Sequence, residues 1–248
     1  MDETAAAVTE DHMLGGRVSV RQPAKGYRAG LDAALLAAAC DAARGERVLE
    51  AGCGVGAVMI SAAARRPDAV FVGLERDATA LALAQANIAI NGLEARVSAV
   101  GGEIGGGAAP GAPFDAALCN PPFFDDPTRL RAPHPAKAGA WMAGDGLAAW
   151  TGFLARSVRD GGNLTLIHRA DRLAELVALL GERCGSQQVR PIHPFADAPA
   201  KRVLVRAVKG GRAPLQLLPP LVLHARGGAK HTPEAEAILR GEADLAWR

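Results

Sequence analysis

The sequence has 248 residues, of which 49% are hydrophobic and 22% charged, and its formal net charge is +2 at pH 7. A chain of this length can bury roughly 70–75% of its unfolded surface, so one core suffices without disulfides or structural metals. It contains no run of 18 apolar residues and no charged-then-apolar leader, and we therefore expect a soluble, cytoplasmic protein without membrane contact. The four cysteines and six histidines lack zinc, disulfide or other metal-ligand spacing, so no metal is expected and the cysteines are predicted to be reduced core residues.

The organisation of the chain follows from its hydrophobic periodicity. Residues 1–10 show none and are predicted to form a disordered tail before a single domain over residues 11–248. The first part of that domain, residues 11–45, is an entry segment with a short strand and an alanine-rich helix, and the second part, residues 46–248, is its core. In the core, apolar strands alternate with helices, which predicts an α/β fold with about seven strands in a mostly parallel sheet covered on both faces.

The individual elements are predicted as follows. The strands lie at residues 17–22, 48–49, 70–74, 97–100, 114–119, 164–167, near 189 and at 203–208. The helices lie at residues 32–42, 58–65, 78–90, 147–158 and 173–180.

A glycine-rich turn follows the strand at 48–49. Residues 48–56, VLEAGCGVG, take the chain from an apolar strand through three glycines into a helix. Glycines in such a turn let the backbone approach a ligand closely and leave the helix N-terminus free to donate hydrogen bonds. Glu75 ends the next strand about 20 residues later, where an acid can accept both hydroxyls of a ribose. Because Gly52, Gly54 and Ala57 also satisfy G-x-G-x-x-A, these residues leave a dinucleotide site open as an alternative.

The most informative pattern is Asn120-Pro121-Pro122-Phe123, which directly follows the strand at 114–119. Open α/β sheets bind ligands at the carboxyl ends of their strands. The prolines fix the backbone and have no N–H, so the carbonyl of Pro121 and the amide oxygen of Asn120 can both act as acceptors. Two placed acceptors suit a planar amino group, on adenine or on a carboxamide, during attack on a sulfonium methyl group. Phe123 offers a ring on which a flipped base can stack.

Together, residues 48–56, Glu75 and residues 120–123 resemble the motifs of class I S-adenosylmethionine-dependent methyltransferases that act on planar amino nitrogens. The resemblance implies a Rossmann-like sheet of seven strands with the last strand antiparallel, and S-adenosylmethionine as the cofactor. More specifically, parts of the entry segment and of the tail resemble the tRNA (adenine-N6) methyltransferases that modify a valine tRNA beside the anticodon. These parts are residues 14–17, 22–23, 26–28, 31–37, 201–205 and 232–235.

The same resemblance implies roles for individual residues. Glu50, Gly52 and Gly54 would line the methionine portion of the cofactor. Glu75 would hold its ribose. Glu103, in the segment after the strand at 97–100, would contact its adenine amino group, although most relatives carry Asp there.

Further roles concern the entry segment and the catalytic motif. Arg28 and Asp32 match the segment that closes over the methionine end of the cofactor, and a helix N-cap is an equal alternative for Asp32. Residues 120–123 would be the catalytic motif. Phe123 departs from the family, which more often has Tyr at this position, so base stacking would remain while a phenol hydrogen bond would not.

The carboxyl-terminal third of the chain is locally basic. Eight basic residues and a single acid, Asp197, lie between Arg190 and Lys230. Such an asymmetry is the electrostatic pattern expected for contact with a phosphate backbone. The partner is therefore predicted to be tRNA, held by a run of four residues: Lys201, Arg202, Arg206 and Lys209.

The sequence supports transfer of a methyl group to N6 of an adenine in tRNA, and leaves several alternatives open. One alternative has the same chemistry but a different methyl acceptor, namely a ribosomal RNA amine or a protein glutamine amide. A dinucleotide-dependent oxidoreductase would need a proton donor beside the nicotinamide, and the sequence offers no Tyr-Lys or His-Asp arrangement for that role. A non-catalytic RNA-binding protein would not need the cofactor acids together with Asn120.

Overall fold

The computed structural model of the protein describes residues 7–25, 28–122, 146–227 and 229–247. Its first element is an antiparallel hairpin of β1 (Val8–Met13) and β2 (Val18–Pro23). The prediction of a disordered tail over residues 1–10 is therefore wrong for residues 8–10, which pair with β2. Apolar periodicity could not reveal β1, because this strand is largely exposed and is held by its backbone ladder and by pairs such as Arg21 with Glu10 at 3.0 Å.

The remaining elements alternate between strands and helices as predicted. The strands are β3 (Arg47–Ala51), β4 (Val70–Glu75), β5 (Val97–Gly101), β6 (Phe114–Cys119), β7 (Val158–Arg169), β8 (Cys184–His193), β9 (Arg202–Lys209), β10 (Gln216–Leu217) and β11 (Leu221–Val222). The helices are α1 (Leu31–Ala38), α2 (Ala57–Arg65), α3 (Ala78–Ile90), α4 (Leu147–Ser157), α5 (Leu173–Gly181) and α6 (Pro233–Arg240).

The strands from β3 onward form one mixed sheet in the order β10-β8-β9-β7-β6-β3-β4-β5, with β11 also paired to β8. The five strands β3 to β7 are parallel, and β9 runs antiparallel to both β7 and β8. This confirms the predicted α/β fold, in which the last of the seven long strands is antiparallel. The two strands beyond the predicted seven, β10 and β11, are only two residues long each.

Helices cover both faces of this sheet. On one face, α1, α2 and α3 bury side chains such as Leu35, Met59 and Ile60 in one apolar cluster. On the other face, α4 and α5 bury Phe153 and Leu176 in a second cluster. The two-sided burial explains why the central strands read as continuous apolar runs rather than alternating ones.

The four cysteines are buried and free, as predicted. Burial raises the pKa of the Cys40 thiol to about 11, so this thiol stays protonated at neutral pH. Within the described ranges, no helix is both long and apolar enough to cross a bilayer.

The carboxyl-terminal residues pack against the end of α1. The backbone N–H of Leu245 donates to the carbonyl of Ala38 at 3.0 Å, and the indole Nε1 of Trp247 donates to the carbonyl of Ala39 at 2.8 Å. Both side chains are buried. These two bonds occupy carbonyls at the end of the helix, and α1 ends at Ala38 rather than at the predicted residue 42.

Candidate active site

Three neighbouring strands end level with one another at the edge of the sheet where the parallel strands terminate, which we call the carboxyl edge. The end of β3 lies opposite Leu74 in β4 and Cys119 in β6. The residues that follow these positions, Gly52, Glu75 and Asn120, are therefore adjacent at this edge. Three separate sequence motifs thus meet at one place, as expected for ligand binding by an open α/β sheet.

The glycine turn after β3 is open to a ligand on one side. Gly52 and Gly54 have φ angles of +68° and +53°, which strain any residue with a side chain. A Cβ atom at Gly52 would lie 2.6 Å from Cη2 of Trp150, so the backbone and the indole ring touch there. A Cβ at Gly54 would meet no atom within 4 Å. The turn is therefore packed against α4 at Gly52 and accessible at Gly54.

Glu75 is fixed against this turn by two backbone donors. Its Oε2 accepts a hydrogen bond from the backbone N–H of Gly54 at 2.8 Å, and its Oε1 accepts one from the backbone N–H of Asp77 at 2.8 Å. A carboxylate has about four acceptor sites, so both oxygens can accept further hydrogen bonds. The half-buried carboxylate is thus preoriented to receive a pair of hydroxyl groups.

Glu50 lies beneath the turn and is only 3% exposed. Its Oε2 accepts a hydrogen bond from the backbone N–H of Met59 at 2.9 Å, in the first turn of α2. Burial raises the pKa of the Glu50 carboxyl well above its ordinary value; the Met59 hydrogen bond opposes this shift and the negative charge of Glu75 adds to it. Glu50 therefore anchors the helix that follows the glycine turn, and a role in lining the cofactor stays a prediction.

Glu103 is exposed and lies two residues beyond the end of β5. The register places Glu75 opposite Gly101, and the backbone N–H of Gly102 donates to the carbonyl of Glu75 at 3.0 Å. Glu103 is therefore on the same edge as Glu75, one strand away. Its predicted contact with an adenine amino group is compatible with this position and stays a prediction.

The Asn-Pro-Pro motif begins immediately after β6. Asn120 is half-buried, Pro121 is buried and Pro122 is half-buried. Phe123 lies outside the described residues. The carboxyl edge therefore carries Asn120 and the rigid Pro-Pro step next to the glycine turn, with β3 as the neighbouring strand.

Comparison with known proteins agrees with this arrangement. The model of the Methyltransferase small domain matches residues 28–132. A solved structure of a predicted O-methyltransferase from Agrobacterium tumefaciens is 27% identical, covers 87% of this chain and 98% of its own, and has a TM-score of 0.72. The chain carries a class I S-adenosylmethionine-dependent methyltransferase domain.

Two further relatives match a smaller share of this chain. A release factor glutamine methyltransferase from Gloeobacter violaceus is 30% identical over 165 residues, and the match covers 63% of this chain and 57% of that curated relative. An S-adenosylmethionine-dependent O-methyltransferase structure from Thermotoga maritima is 17% identical, covers 76% of this chain and 68% of its own, and has a TM-score of 0.54. This last likeness concerns the fold alone.

The residues of the methyltransferase domain fit S-adenosylmethionine as the cofactor. The open side of Gly54 leaves space for a ligand beside the backbone, and the preoriented carboxylate of Glu75 suits a ribose diol. Buried Glu50 and exposed Glu103 lie on either side of this carboxylate along the sheet. When bound, the cofactor supplies a methyl group carried on a cationic sulfur.

Arg28 and Asp32 are both engaged within the methyltransferase domain. Arg28 donates to Oγ1 of Thr9 at 2.7 Å and forms an ion pair with Asp11, so it ties the entry segment to β1. Asp32 forms an ion pair with Arg202 at 2.9 Å across the carboxyl edge. The alternative role of Asp32 as a helix N-cap is wrong, because the N-cap of α1 is Gly30. Contact of Arg28 or Asp32 with the cofactor stays a prediction.

The four basic residues predicted to contact RNA do not share one surface. Because β9 runs antiparallel to β7, Lys201 and Arg202 lie at the carboxyl edge and Lys209 lies at the opposite, amino edge. An eight-residue strand separates the two ends by about 25 Å. The expectation of a single basic run is therefore corrected, since residues close in sequence are spread along the full length of a strand.

Arg206 and Lys209 also have acidic partners within the chain. Arg206 pairs with Asp41 at 2.8 Å. Lys209 donates to the carbonyl of Val158 at 2.7 Å and lies 3.5 Å from Asp160. These interactions tie β9 to its neighbours, and Arg202 is likewise paired with Asp32, so RNA contact is retained as a prediction chiefly for Lys201.

Two residues that position the site were missed by sequence reasoning. Trp150 in α4 packs its ring against Gly52. Asn87 in α3 is fully buried; its Oδ1 accepts from the N–H of Arg21 at 2.8 Å, and its Nδ2 donates to the carbonyl of Val55 at 2.9 Å. Asn87 thereby connects the amino-terminal hairpin to the glycine turn. The sequence signal that could have revealed this role is an asparagine within an alanine-rich helix, since a polar side chain in such a helix needs hydrogen-bond partners if it is buried.

Proposed function

We propose that this domain transfers a methyl group from S-adenosylmethionine to the exocyclic amino nitrogen, N6, of an adenine in tRNA. The observation that carries the proposal is the placement of Asn120-Pro121-Pro122 at the end of β6, next to the glycine turn and Glu75. This placement puts acceptors for a substrate amino group beside the residues that fit the cofactor.

In the proposed reaction, Asn120 and Pro121 hold the substrate nitrogen. The side-chain oxygen of Asn120 and the carbonyl of Pro121 each accept one N–H of the amino group, which favours a pyramidal nitrogen whose lone pair is aimed at the methyl carbon. A nitrogen–carbon bond would form as the carbon–sulfur bond breaks, its electron pair would pass to sulfur so that S-adenosylhomocysteine leaves, and the nitrogen would then release one proton to solvent water. The Pro121-Pro122 step limits backbone motion, so the two acceptors stay in place. Glu75 holds the ribose end of the cofactor during transfer.

Nitrogen rather than oxygen is the proposed acceptor atom, although two of the similar structures carry O-methyltransferase names. A hydroxyl group has one proton and needs a base to remove it, whereas an amino group presents two protons to two acceptors. The neutral amide of Asn120 is a hydrogen-bond acceptor and not a base at neutral pH. The motif therefore matches an amino group better than a hydroxyl.

A glutamine amide is the second candidate acceptor, because the Gloeobacter relative is named as a glutamine methyltransferase of release factors. Adenine N6 is preferred because parts of the entry segment and tail resemble tRNA (adenine-N6) methyltransferases, and because the carboxyl-terminal third is basic. A protein loop carries no phosphate backbone for a basic surface to bind, whereas tRNA does.

The experiment that separates the candidates supplies the purified protein with methyl-labelled S-adenosylmethionine and one acceptor at a time: tRNA, ribosomal RNA or a release factor. Nucleoside and peptide mass spectrometry then locate the label. The proposal expects N6-methyladenosine in tRNA. Label on a glutamine side chain would transfer the assignment to the second candidate, and label on an oxygen atom would contradict the amino-nitrogen mechanism itself.

A further inference from the structure

Three rings and one guanidinium group form a row of contacts on the loops that follow β8 and β11, in which the Phe195 and His224 rings are tilted by 49° to each other. The Cζ atom of Arg226 lies 4.6 Å from the centroid of the Phe195 ring. The Phe195 ring lies 5.6 Å from the ring of His224, which in turn stacks on His231 at 5.1 Å with an interplanar angle of 26°. We call these four residues the ring ladder.

The ring ladder lies on the same edge of the sheet as the candidate active site. Because β8 and β11 run parallel to each other, with Val222 opposite His193, both strands end at one edge. The start of β9, Arg202, pairs with Arg169 at the end of β7, so this edge is the carboxyl edge. From β8 to β6 there are three strand steps, or about 15 Å. A substrate that reaches Asn120 can therefore also reach the ring ladder.

The ladder is a surface feature rather than part of the core. The three rings are half-buried and Arg226 is exposed. Phe195, the apolar member of the ladder, belongs to neither of the two apolar clusters. Local hydrogen bonds hold the arrangement, since Nδ1 of His224 lies 2.6 Å from the carbonyl oxygen of Lys230, and Arg226 pairs with Asp197 at 3.0 Å. Because Phe195 and His224 each lie between two neighbours in the ladder, a flat group of a ligand can add at its two ends, Arg226 and His231.

Two lysines lie on the same loops as the ladder. Lys201 ends the loop after β8, and Lys230 belongs to the loop after β11; both are exposed. Among the residues that the structure describes, neither has an acidic partner, in contrast to Arg206 and Lys209 on β9. The ladder is thus accompanied by cations that are available to phosphates.

We propose that the ring ladder, with Lys201 and Lys230, is the docking surface for an unpaired loop of the RNA substrate; this inference rests on the proposed function. Unstacked bases of RNA loops bind proteins by stacking on aromatic rings and on arginine planes, and their phosphates bind lysine. Aromatic rings and arginine also occur at protein interfaces, but lysine is depleted there, so the two exposed lysines beside the rings favour RNA over a protein. The combination of both features on one edge favours RNA.

The test measures tRNA binding by filter retention across salt concentrations, without cofactor, so that it does not depend on methyl transfer. In Phe195→Leu the side chain keeps apolar packing but loses the ring that supports the guanidinium plane of Arg226, and the affinity is expected to fall by about fivefold to a hundredfold, as for loss of one base stack. In the double variant Lys201→Ala/Lys230→Ala, the slope of log affinity against log salt is expected to flatten by about 1.4–1.8, for two phosphate contacts.

The matched control is Arg44→Ala/Arg183→Ala, which removes two exposed cations from the amino edge and should leave the slope unchanged. Parental affinity and slope in both ladder variants would overturn the docking surface, even if the protein methylates tRNA. A different outcome is that the parental protein methylates only a release factor, while the ladder variants, unlike the control, still bind RNA more weakly than the parent. This outcome would support the docking surface and refute the proposed substrate. Variants that lose binding to an acidic peptide but keep binding to tRNA would assign the surface to a protein and overturn the inference.

Discussion

At the residue scale, Glu75 has two roles, and a substitution of this residue should weaken cofactor binding without unfolding the protein. Its carboxylate holds the N–H groups of Gly54 and Asp77, and it is predicted to hold the cofactor ribose. We expect Glu75→Ala to lower the affinity for S-adenosylmethionine by about tenfold to a hundredfold, since hydrogen bonds to a charged group contribute roughly 1.5–3 kcal/mol. Isothermal calorimetry measures this change. The control is Glu94→Ala, which removes an exposed carboxylate just after α3. Equal affinities in both variants would remove Glu75 from the site.

Glu50 makes the stability of the cofactor-free protein depend on pH. Burial raises the pKa of its carboxyl in the folded state, whereas the unfolded value is about 4.3. A raised folded pKa contributes stability below the unfolded pKa, and this contribution is lost as the pH rises through the folded pKa. Glu50→Gln has no ionisable group and can still accept the N–H of Met59.

We therefore expect Glu50→Gln to be more stable than the parent near neutral pH, by a margin that shrinks as the pH approaches 4.3. Urea denaturation at several pH values, without cofactor, measures the free energy of unfolding of both proteins. If the two curves keep a constant separation from pH 4.5 to 8, the buried carboxyl is not the source of the dependence. Since Glu50 is also predicted to line the cofactor site, the more stable variant should bind S-adenosylmethionine less tightly.

At the scale of elements, α3 joins the amino-terminal hairpin to the glycine turn. Asn87→Ala would leave the backbone groups of Arg21 and Val55 without their side-chain partner, and we expect a loss of about 2–4 kcal/mol in the free energy of unfolding. Gln85→Ala, on an exposed position of the same helix, should cost under about 1 kcal/mol. Hydrogen exchange should report faster exchange in β2 for the first variant alone, and equal exchange in both would contradict the connecting role of Asn87.

The elements that sequence reasoning predicted well are those with local signals. Helix α3 spans Ala78–Ile90 as predicted, because Asp77 caps it by accepting the N–H groups of Thr79 and Ala80. Helix α1 is shorter than predicted because the carboxyl-terminal residues, far away in sequence, bind its last carbonyls. The strand predicted at residues 164–167 is in fact β7, Val158–Arg169, which continues through a glycine pair and a register shift opposite β6.

The sequence could predict those residues of the candidate site that directly follow a strand. Gly52, Glu75 and Asn120 follow apolar strands, and parallel pairing alone brings such positions together. The packing of Trp150 on Gly52 depends on a helix that comes about a hundred residues later in the chain, which no local pattern reveals. The four basic residues predicted to contact RNA do not form a single surface, because β9 runs from one edge of the sheet to the other. The number of charges along the sequence does not reveal this separation.

At the scale of the whole molecule, one edge of the sheet carries all the proposed functions. The residues proposed to bind the cofactor lie at the ends of β3, β4 and β5, the proposed catalytic motif follows β6, and the ring ladder follows β8 and β11. Asp32 and Arg202 form an ion pair between these two regions. The arrangement predicts that cofactor and RNA approach the protein from the same side and that the opposite edge can be altered without loss of activity.

Methylation kinetics with tRNA test directly whether Asn120 holds an adenine amino group for methyl transfer. Substrate tRNA is prepared from cells that lack the gene, incubated with S-adenosylmethionine and either the parental protein or Asn120→Ala, and digested for nucleoside mass spectrometry over time. We expect N6-methyladenosine with the parental protein, and a rate about 10²–10³-fold lower with Asn120→Ala at unchanged cofactor affinity, the usual cost of losing one placed hydrogen-bonding group. Methylation by Asn120→Ala at the parental rate, or no methylated adenine with the parental protein, would contradict it.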